Sequence, residues 1–202
     1  MITSPCVPDS LGVILAGGQS RRMGGGDKFL LEFEHRPLID HVIERAHPQV
    51  ESLLLNINQP PELLAPYHAP ILNDGEYIGM GPIAGIVRSM IWAQQTNPNA
   101  QWLVVFAADS PLFPLDFASC LFQEKSGKTS EIMVAQSNDR AHYTFSLWPI
   151  NLLDNLKLYL NSGQRSLHGF ICQQPHKFVL FEGHPDPFFN VNTPEDWAKL
   201  QG

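Results

Sequence analysis

Residues 101–108, Gln-Trp-Leu-Val-Val-Phe-Ala-Ala, constrain the fold more than any other stretch of this chain. After Gln101 the run is apolar without interruption, so an extended strand here could leave neither face in water. Cover on both faces is the situation of a central strand in a parallel sheet flanked by helices. Residues 11–15, Leu-Gly-Val-Ile-Leu, carry the same buried-strand pattern. Residues 52–57 form another, and Ile71-Leu72 a short further one. Helical spacing separates these runs. Leu38, Val42, Ile43 and Ala46 recur at that spacing over residues 37–50, with Pro37 suited to a first turn. Ile83, Ile86, Val87, Met90 and Ile91 do the same after Gly81-Pro82. Alternating strand and helix patterns predict an α/β fold with a mostly parallel central sheet.

Farther along, residues 116–124 and 151–160 read as helices, and residues 131–135, 143–147 and 177–181 as strands. Thr193-Pro194-Glu195-Asp196 is a helix start: threonine caps, proline fills the first turn, and acidic residues meet the positive end of the dipole. The helix that follows carries Trp197, Ala198 and Leu200. Residues 1–10, with two prolines and small polar side chains, are expected to be a poorly ordered lead-in. The remaining length suits one domain spanning 1–202, without repeat or linker.

Charge and cysteine usage narrow the function classes. The net charge of -7 argues against a nucleic-acid binder relying on a broad basic surface, yet leaves room for a local basic pocket. Cys6, Cys120 and Cys172 are odd in number and far apart, as in a protein with reduced thiols in a cytoplasmic compartment. No run reaches the length of a membrane span, and the N-terminus lacks the basic region of a signal peptide.

A basic pocket is offered where the strand at 11–15 ends. Leu15-Ala16-Gly17-Gly18-Gln19-Ser20-Arg21-Arg22-Met23-Gly24-Gly25-Gly26-Asp27-Lys28 is glycine-rich and carries two arginines and a lysine. Glycines let bare N–H groups approach anionic oxygens, and cations neutralise the charge that remains. No Gly-Lys-[Ser/Thr] stands at Walker spacing, and the glycines do not fall as G-x-G-x-x-G. The alternative is a polar surface loop after a buried strand.

In open α/β sheets, ligands bind beyond the carboxyl ends of the strands. Two more polar residues are expected there. Asp109 follows the strand at 101–108 and is either a turn cap or a magnesium ligand, because Mg2+ takes one or two carboxylates plus substrate phosphate oxygens. Asn56 can read a base or ribose edge with an amide that donates and accepts, or can simply form a turn. Asp74, in Asn73-Asp74-Gly75, is a turn residue or an acceptor for the two N–H donors of guanine. Asn190 and Asn192 could each complete a metal shell or merely lead into the last helix. Arg165 and His142 are candidates for contact with an anionic second substrate, against the alternatives of a surface arginine at a helix end and a structural histidine.

The set of motifs resembles a known family. Leu15-Ala16-Gly17-Gly18, Arg21-Arg22-Met23-Gly24 and Asp27-Lys28 resemble the signature of the Rossmann-like nucleotidyltransferases. Pro37-Leu38, Asn56 with Asn58, Asp74, residues 81–86, Asp109-Ser110-Pro111 and residues 190–195 narrow the resemblance to the molybdenum cofactor guanylyltransferases, in the family's order from about Gly12 to Leu200. The resemblance implies a three-layer Rossmann-like nucleotidyltransferase fold. It places GTP contacts on Leu15, Ala16, Gly17, Lys28, Asn56, Asp74 and Asp109, with Mg2+ on Asp109. Gly18 joins Ala16 and Gly17 in the phosphate cradle, and Arg21, Lys28 and Asp109 become the candidate catalytic residues. The implied partners are GTP, molybdopterin, and transiently the proteins that deliver or receive the cofactor; no nucleic acid or membrane is implied. Two departures lie on the pterin side: His142-Tyr143-Thr144 stands where the family often has His-Pro-Thr, and Arg165 stands alone where relatives can carry an arginine pair. Rival readings are a transferase using CTP or activating a sugar phosphate, and a non-catalytic nucleotide or cofactor carrier.

Overall fold

A computed structural model describes residues 6–17, 29, 32–59, 67, 69–125, 130–183, 186–191 and 196. Nine strands and five α-helices are named here in chain order: β1 (Val7–Leu15), β2 (Glu32–Phe33), β3 (Arg36–Pro37), α1 (Leu38–Ala46), β4 (Val50–Asn56), β5 (Ile71–Leu72), α2 (Pro82–Thr96), β6 (Trp102–Ala107), α3 (Phe117–Gln123), β7 (Ile132–Ser137), β8 (Arg140–Pro149), α4 (Leu153–Asn161), α5 (Leu167–Cys172) and β9 (His176–Leu180).

Seven strands make one sheet in the order β5-β4-β1-β6-β8-β7-β9, and β2 pairs with β3 apart from it. β1 runs parallel to β4 and β6, β4 to β5, and β7 to β9; β8 alone among these is antiparallel to its neighbours. The sheet is mostly parallel because helical crossovers join its first strands. Side-chain alternation then divides the core in two. Leu11, Val13 and Leu15 of β1, with Leu103 and Val105 of β6, pack in the cluster that contains residues of α2, α4 and α5. Ile14, Val104 and Phe106 pack in the cluster that contains residues of α1 and α3. Both faces of the sheet are thus covered, as the uninterrupted apolar runs require. Gly12 lets β1 sit close to β4, since a Cβ there would lie 2.8 Å from Val50 and Leu53 side-chain carbons.

Several boundaries differ from the sequence reading, each for a physical reason. β1 begins at Val7, so residues 7–10 are not a loose lead-in: Val7 and Ser10 are buried, and Ser10 Oγ donates to the Val7 carbonyl at 2.6 Å. A bulge between Val7 and Leu11, with Asp9 at φ +53°, hid the alternation there. The helix expected over 37–50 ends at Ala46. A short 3₁₀ turn at His47–Gln49 contains Pro48, which cannot donate to an α-helical ladder, and β4 starts at Val50. Two hairpins lacked a turn signature: Glu34-His35 joins β2 to β3 and Asn138-Asp139 joins β7 to β8, each pair at positive φ as in a type I′ turn, without the usual glycine. α5 escaped notice because it is only six residues long; its start is marked by Ser166, whose Oγ accepts the Gly169 N–H at 3.0 Å. The helix expected after Thr193 falls largely outside the described residues. Among the described residues no helix is long and apolar enough to cross a membrane.

Candidate active site

The carboxyl ends of β1, β4 and β6 open onto two cavities that share Leu15, Gly17 and Pro82. The smaller, about 220 Å³, is lined by Ala16, Asp109, Thr144 and Asn190 among others. The larger, about 600 Å³, is lined by Asn56, Asn58, Gln59 and Asp74, with Ile78, Gly79 and Gly81. Together they form a trough that runs across the sheet end.

Local structure places each part. The strand β1 hands its chain to the site through two backbone bonds: Ala16 N–H donates to the Asn56 carbonyl at 2.9 Å, and Ala108 N–H donates to the Leu15 carbonyl at 3.1 Å. These bonds tie the ends of β4, β1 and β6 into one ledge. Gly81 starts α2 at φ +74°, a conformation that L side chains rarely adopt, and brings Pro82 to the shared wall. Gly85, one turn into α2, sits so close to Asn56 and Leu15 that a Cβ there would overlap both.

The larger cavity has a built polar floor. Asp74 is 5% exposed, and its carboxylate is gripped from two sides. Asn56 Nδ2 donates to Oδ1 at 3.1 Å and Asn58 Nδ2 donates to Oδ2 at 2.6 Å. Asn58 Oδ1 in turn accepts the Asp74 N–H at 3.0 Å. Asn56, open in the sequence between reading a base or ribose edge and forming a turn, is 3% exposed, with its Nδ2 bonded to Asp74 and, at 3.4 Å, to the Leu72 carbonyl.

The smaller cavity is closed from the C-terminal side. Val191 N–H donates to the Asp109 carbonyl at 2.8 Å, and Ser110 Oγ donates to Asn190 Oδ1 at 2.5 Å. Residues 186–191 are held down elsewhere too. Phe188 packs among the rings of Phe117, Phe145 and Phe181, and Asp186 Oδ1 accepts both the Phe188 N–H and the Ser137 hydroxyl, at 3.0 and 2.7 Å.

The structure therefore brings Leu15, Ala16, Gly17, Asp109 and Asn190 to one cavity and Leu15, Gly17, Asn56 and Asp74 to the other. Gly18, Arg21, Lys28 and Asn192 lie outside the described residues. Two candidates go elsewhere. Arg165 Nη1 donates to the Leu160 and Gln164 carbonyls, both at 2.7 Å, and so serves the C-terminal end of α4. His142 is 7% exposed, packs its ring tilted against Phe188, and shares a hydrogen bond of 2.8 Å with Ser137. It is structural. Thr144, named above only within the departure at His142-Tyr143-Thr144, lines the smaller cavity two residues along β8, and Asn58, named only beside Asn56, lines the larger. A bulge in β8 between His142 and Ser146 broke the alternation that would have marked Thr144.

His142 carries a pH prediction. The one Ser137 proton goes to Asp186, an acceptor only, so His142 Nε2 must be the donor to Ser137. Burial lowers the His142 pKa below its ordinary value; Asp186 pulls it up and Arg140 adds to the lowering. The unfolded chain then takes a proton near pH 6.5 that the folded chain resists. Stability is full above about pH 6.5 and declines as pH falls from there toward the folded pKa. Thermal melts of His142→Gln, which keeps a donor for Ser137, should show a flatter acid limb than the parent; identical limbs would remove His142 from this linkage.

Among the described residues, no three His, Cys, Asp or Glu side chains gather into a metal cage. The donor set at Asp109, one carboxylate at a cavity wall, is instead of the kind that holds Mg2+ together with substrate phosphates.

Comparisons with known proteins agree on what this architecture is. Residues 12–177 match the model of the MobA-like NTP transferase domain. A molybdenum cofactor guanylyltransferase of Mesorhizobium japonicum is 39% identical over 197 residues, covering 95% of this chain and 94% of that protein. One from Rhodopseudomonas palustris is 37% identical over 196 residues, covering 96% and 93%. Among solved structures, molybdopterin-guanine dinucleotide biosynthesis protein A from Archaeoglobus fulgidus superposes with a TM-score of 0.74 at 22% identity, over 94% of this chain and 95% of that one, and so shares the fold. With a family model spanning most of its length and relatives this similar end to end, the chain belongs to the MobA-like NTP transferases, in the family of the molybdenum cofactor guanylyltransferases.

Proposed function

We propose that the chain transfers GMP from GTP to the terminal phosphate of molybdopterin, releasing pyrophosphate and forming the guanine dinucleotide form of the cofactor. The observation that carries this reading is the trough itself: an acceptor-lined cavity around Asp74 at one end and a carboxylate, Asp109, at the other, joined by the backbone of Leu15 to Gly17. Guanine N1–H and 2-amino hydrogens suit the lone pairs that Asn56 and Asn58 leave free on Asp74. The triphosphate would then lie along Ala16, Gly17 and Gly18 toward Asp109, with Arg21 and Lys28 meeting its charge.

No protein nucleophile is needed, because the attacking phosphate is already an anion. Catalysis rests on holding two phosphates in line and on stabilising charge. Asp109 would hold Mg2+, with Asn190 beside it. When bound, that ion supplies neutralisation of phosphate oxygens and eases pyrophosphate departure. Thr144 and Asn190 line the smaller cavity with Asp109, and the incoming pterin phosphate would meet them there.

The test is pyrophosphate release with molybdopterin and magnesium, run in parallel with GTP, CTP and UTP. GTP is expected to be the productive nucleotide. Turnover with CTP and none with GTP would overturn the base assignment; GTP binding without turnover at saturating pterin would favour a carrier.

A further inference from the structure

Asn58 lies just past the end of β4, an exposed side chain that nevertheless makes two good hydrogen bonds, both to one residue. Its amide nitrogen reaches the Asp74 carboxylate while its amide oxygen takes the Asp74 backbone N–H, closing a ring. Two bonds between the same pair of residues fix orientation as well as distance. On the other flank, Asn58 Nδ2 lies 3.6 Å from where a Cβ on Gly17 would stand, so Asn58 fills the space between the glycine loop and Asp74.

The consequence is chemical. A carboxylate has about four acceptor sites. Asn56 takes one on Oδ1 and Asn58 one on Oδ2, which leaves one on each oxygen. A carboxylate free to rotate would present those sites at many angles and accept donors from many bases. Held in one plane, it presents an edge of two adjacent acceptors, matched to a base edge with two adjacent N–H donors.

We propose that Asn58 is the positioning residue that sets base selectivity, by holding the Asp74 carboxylate in the plane that accepts both guanine N–H donors at once. This rests on the GTP reading above. Asn58 acts through Asp74, so its removal should cost discrimination between bases more than it costs affinity for nucleotides in general.

The experiment compares dissociation constants for GTP and ITP, since hypoxanthine lacks the 2-amino group and offers one donor where guanine offers two. With the full chain and magnesium present, the parent should bind GTP at least about tenfold more tightly than ITP, the effect of one charge-assisted hydrogen bond. Asn58→Leu should bring the ratio to within about threefold, and in an Asp74→Ala background it should change the ratio no further. A ratio of two constants does not depend on the fraction of folded protein, so a partly unfolded variant still reports. A parent that prefers GTP and an Asn58→Leu variant that keeps the whole preference overturn the inference alone. Equal losses from Asn58→Leu with and without Asp74 also overturn it. A parent that binds CTP and not GTP overturns the inference together with the functional reading beneath it.

Discussion

Asp109→Ala is expected to lower the rate of pyrophosphate release by at least about a hundredfold, the scale on which losing one well-placed electrostatic group slows a transition state. Asp109 stands two residues beyond β6, whose residues 103–107 are buried, so its position follows from a central strand of the sheet. The substitution removes the carboxylate and leaves the backbone, and it is the Asp109 carbonyl that accepts the Val191 N–H. That bond to residues 186–191 survives the substitution, and the melting temperature of the variant reports any further part the side chain plays in stability. Rates measured across a magnesium titration, with a thermal melt of each preparation, separate the two effects. Undiminished turnover would remove Asp109 from the reaction, while collapse of the melt would make it a structural residue.

Gly85→Ala should damage the opposite end of the trough without touching a charge. The added methyl would overlap Asn56 Oδ1, and would lie 2.5 Å from Leu15 Cδ2 and 2.8 Å from Asn56 Cγ. Neither neighbour can move freely: Leu15 is buried, and Asn56 is bonded to Leu72 and Asp74. Overpacking of this kind costs about 1–3 kcal/mol of stability. Relief requires Asn56 to turn away, which also releases one side of the Asp74 carboxylate. Weaker GTP binding that outlasts correction for the unfolded fraction is the expected result; parent-like melting and parent-like GTP affinity would show that α2 can slide enough to absorb the methyl.

The central strands were legible because burial on both faces leaves an unmistakable apolar run, and β1, β4 and β6 all carry one. Asp109 was legible for the same reason, as the polar residue that ends such a run. Asp74 could be listed as an acceptor but not chosen over a plain turn, since its two amide partners come from 16 and 18 residues away. The Asp186–Ser137 bond spans 49 residues, and nothing local marks either member. His142 stayed open between two roles because a buried histidine and a ligand-facing one look alike in a sequence; its bond to Ser137 on β7, which also reaches Asp186, favours the structural one. Hairpin turns built on Glu34-His35 and Asn138-Asp139 were hidden because tertiary pairing, not glycine, holds their positive φ angles.

The hydrogen bond from Ser110 to Asn190 joins residues 80 apart in the chain. At about 5–20 residues per second of synthesis, roughly 4–16 s separate the two on the ribosome. The β1, β4 and β6 ends that form the ledge are all made before that interval begins, so a nascent chain can shape the nucleotide side of its trough early. The wall that flanks Asp109 arrives last. The two sides of the trough are thus synthesised seconds apart, the β1, β4 and β6 ends first and Asn190 last.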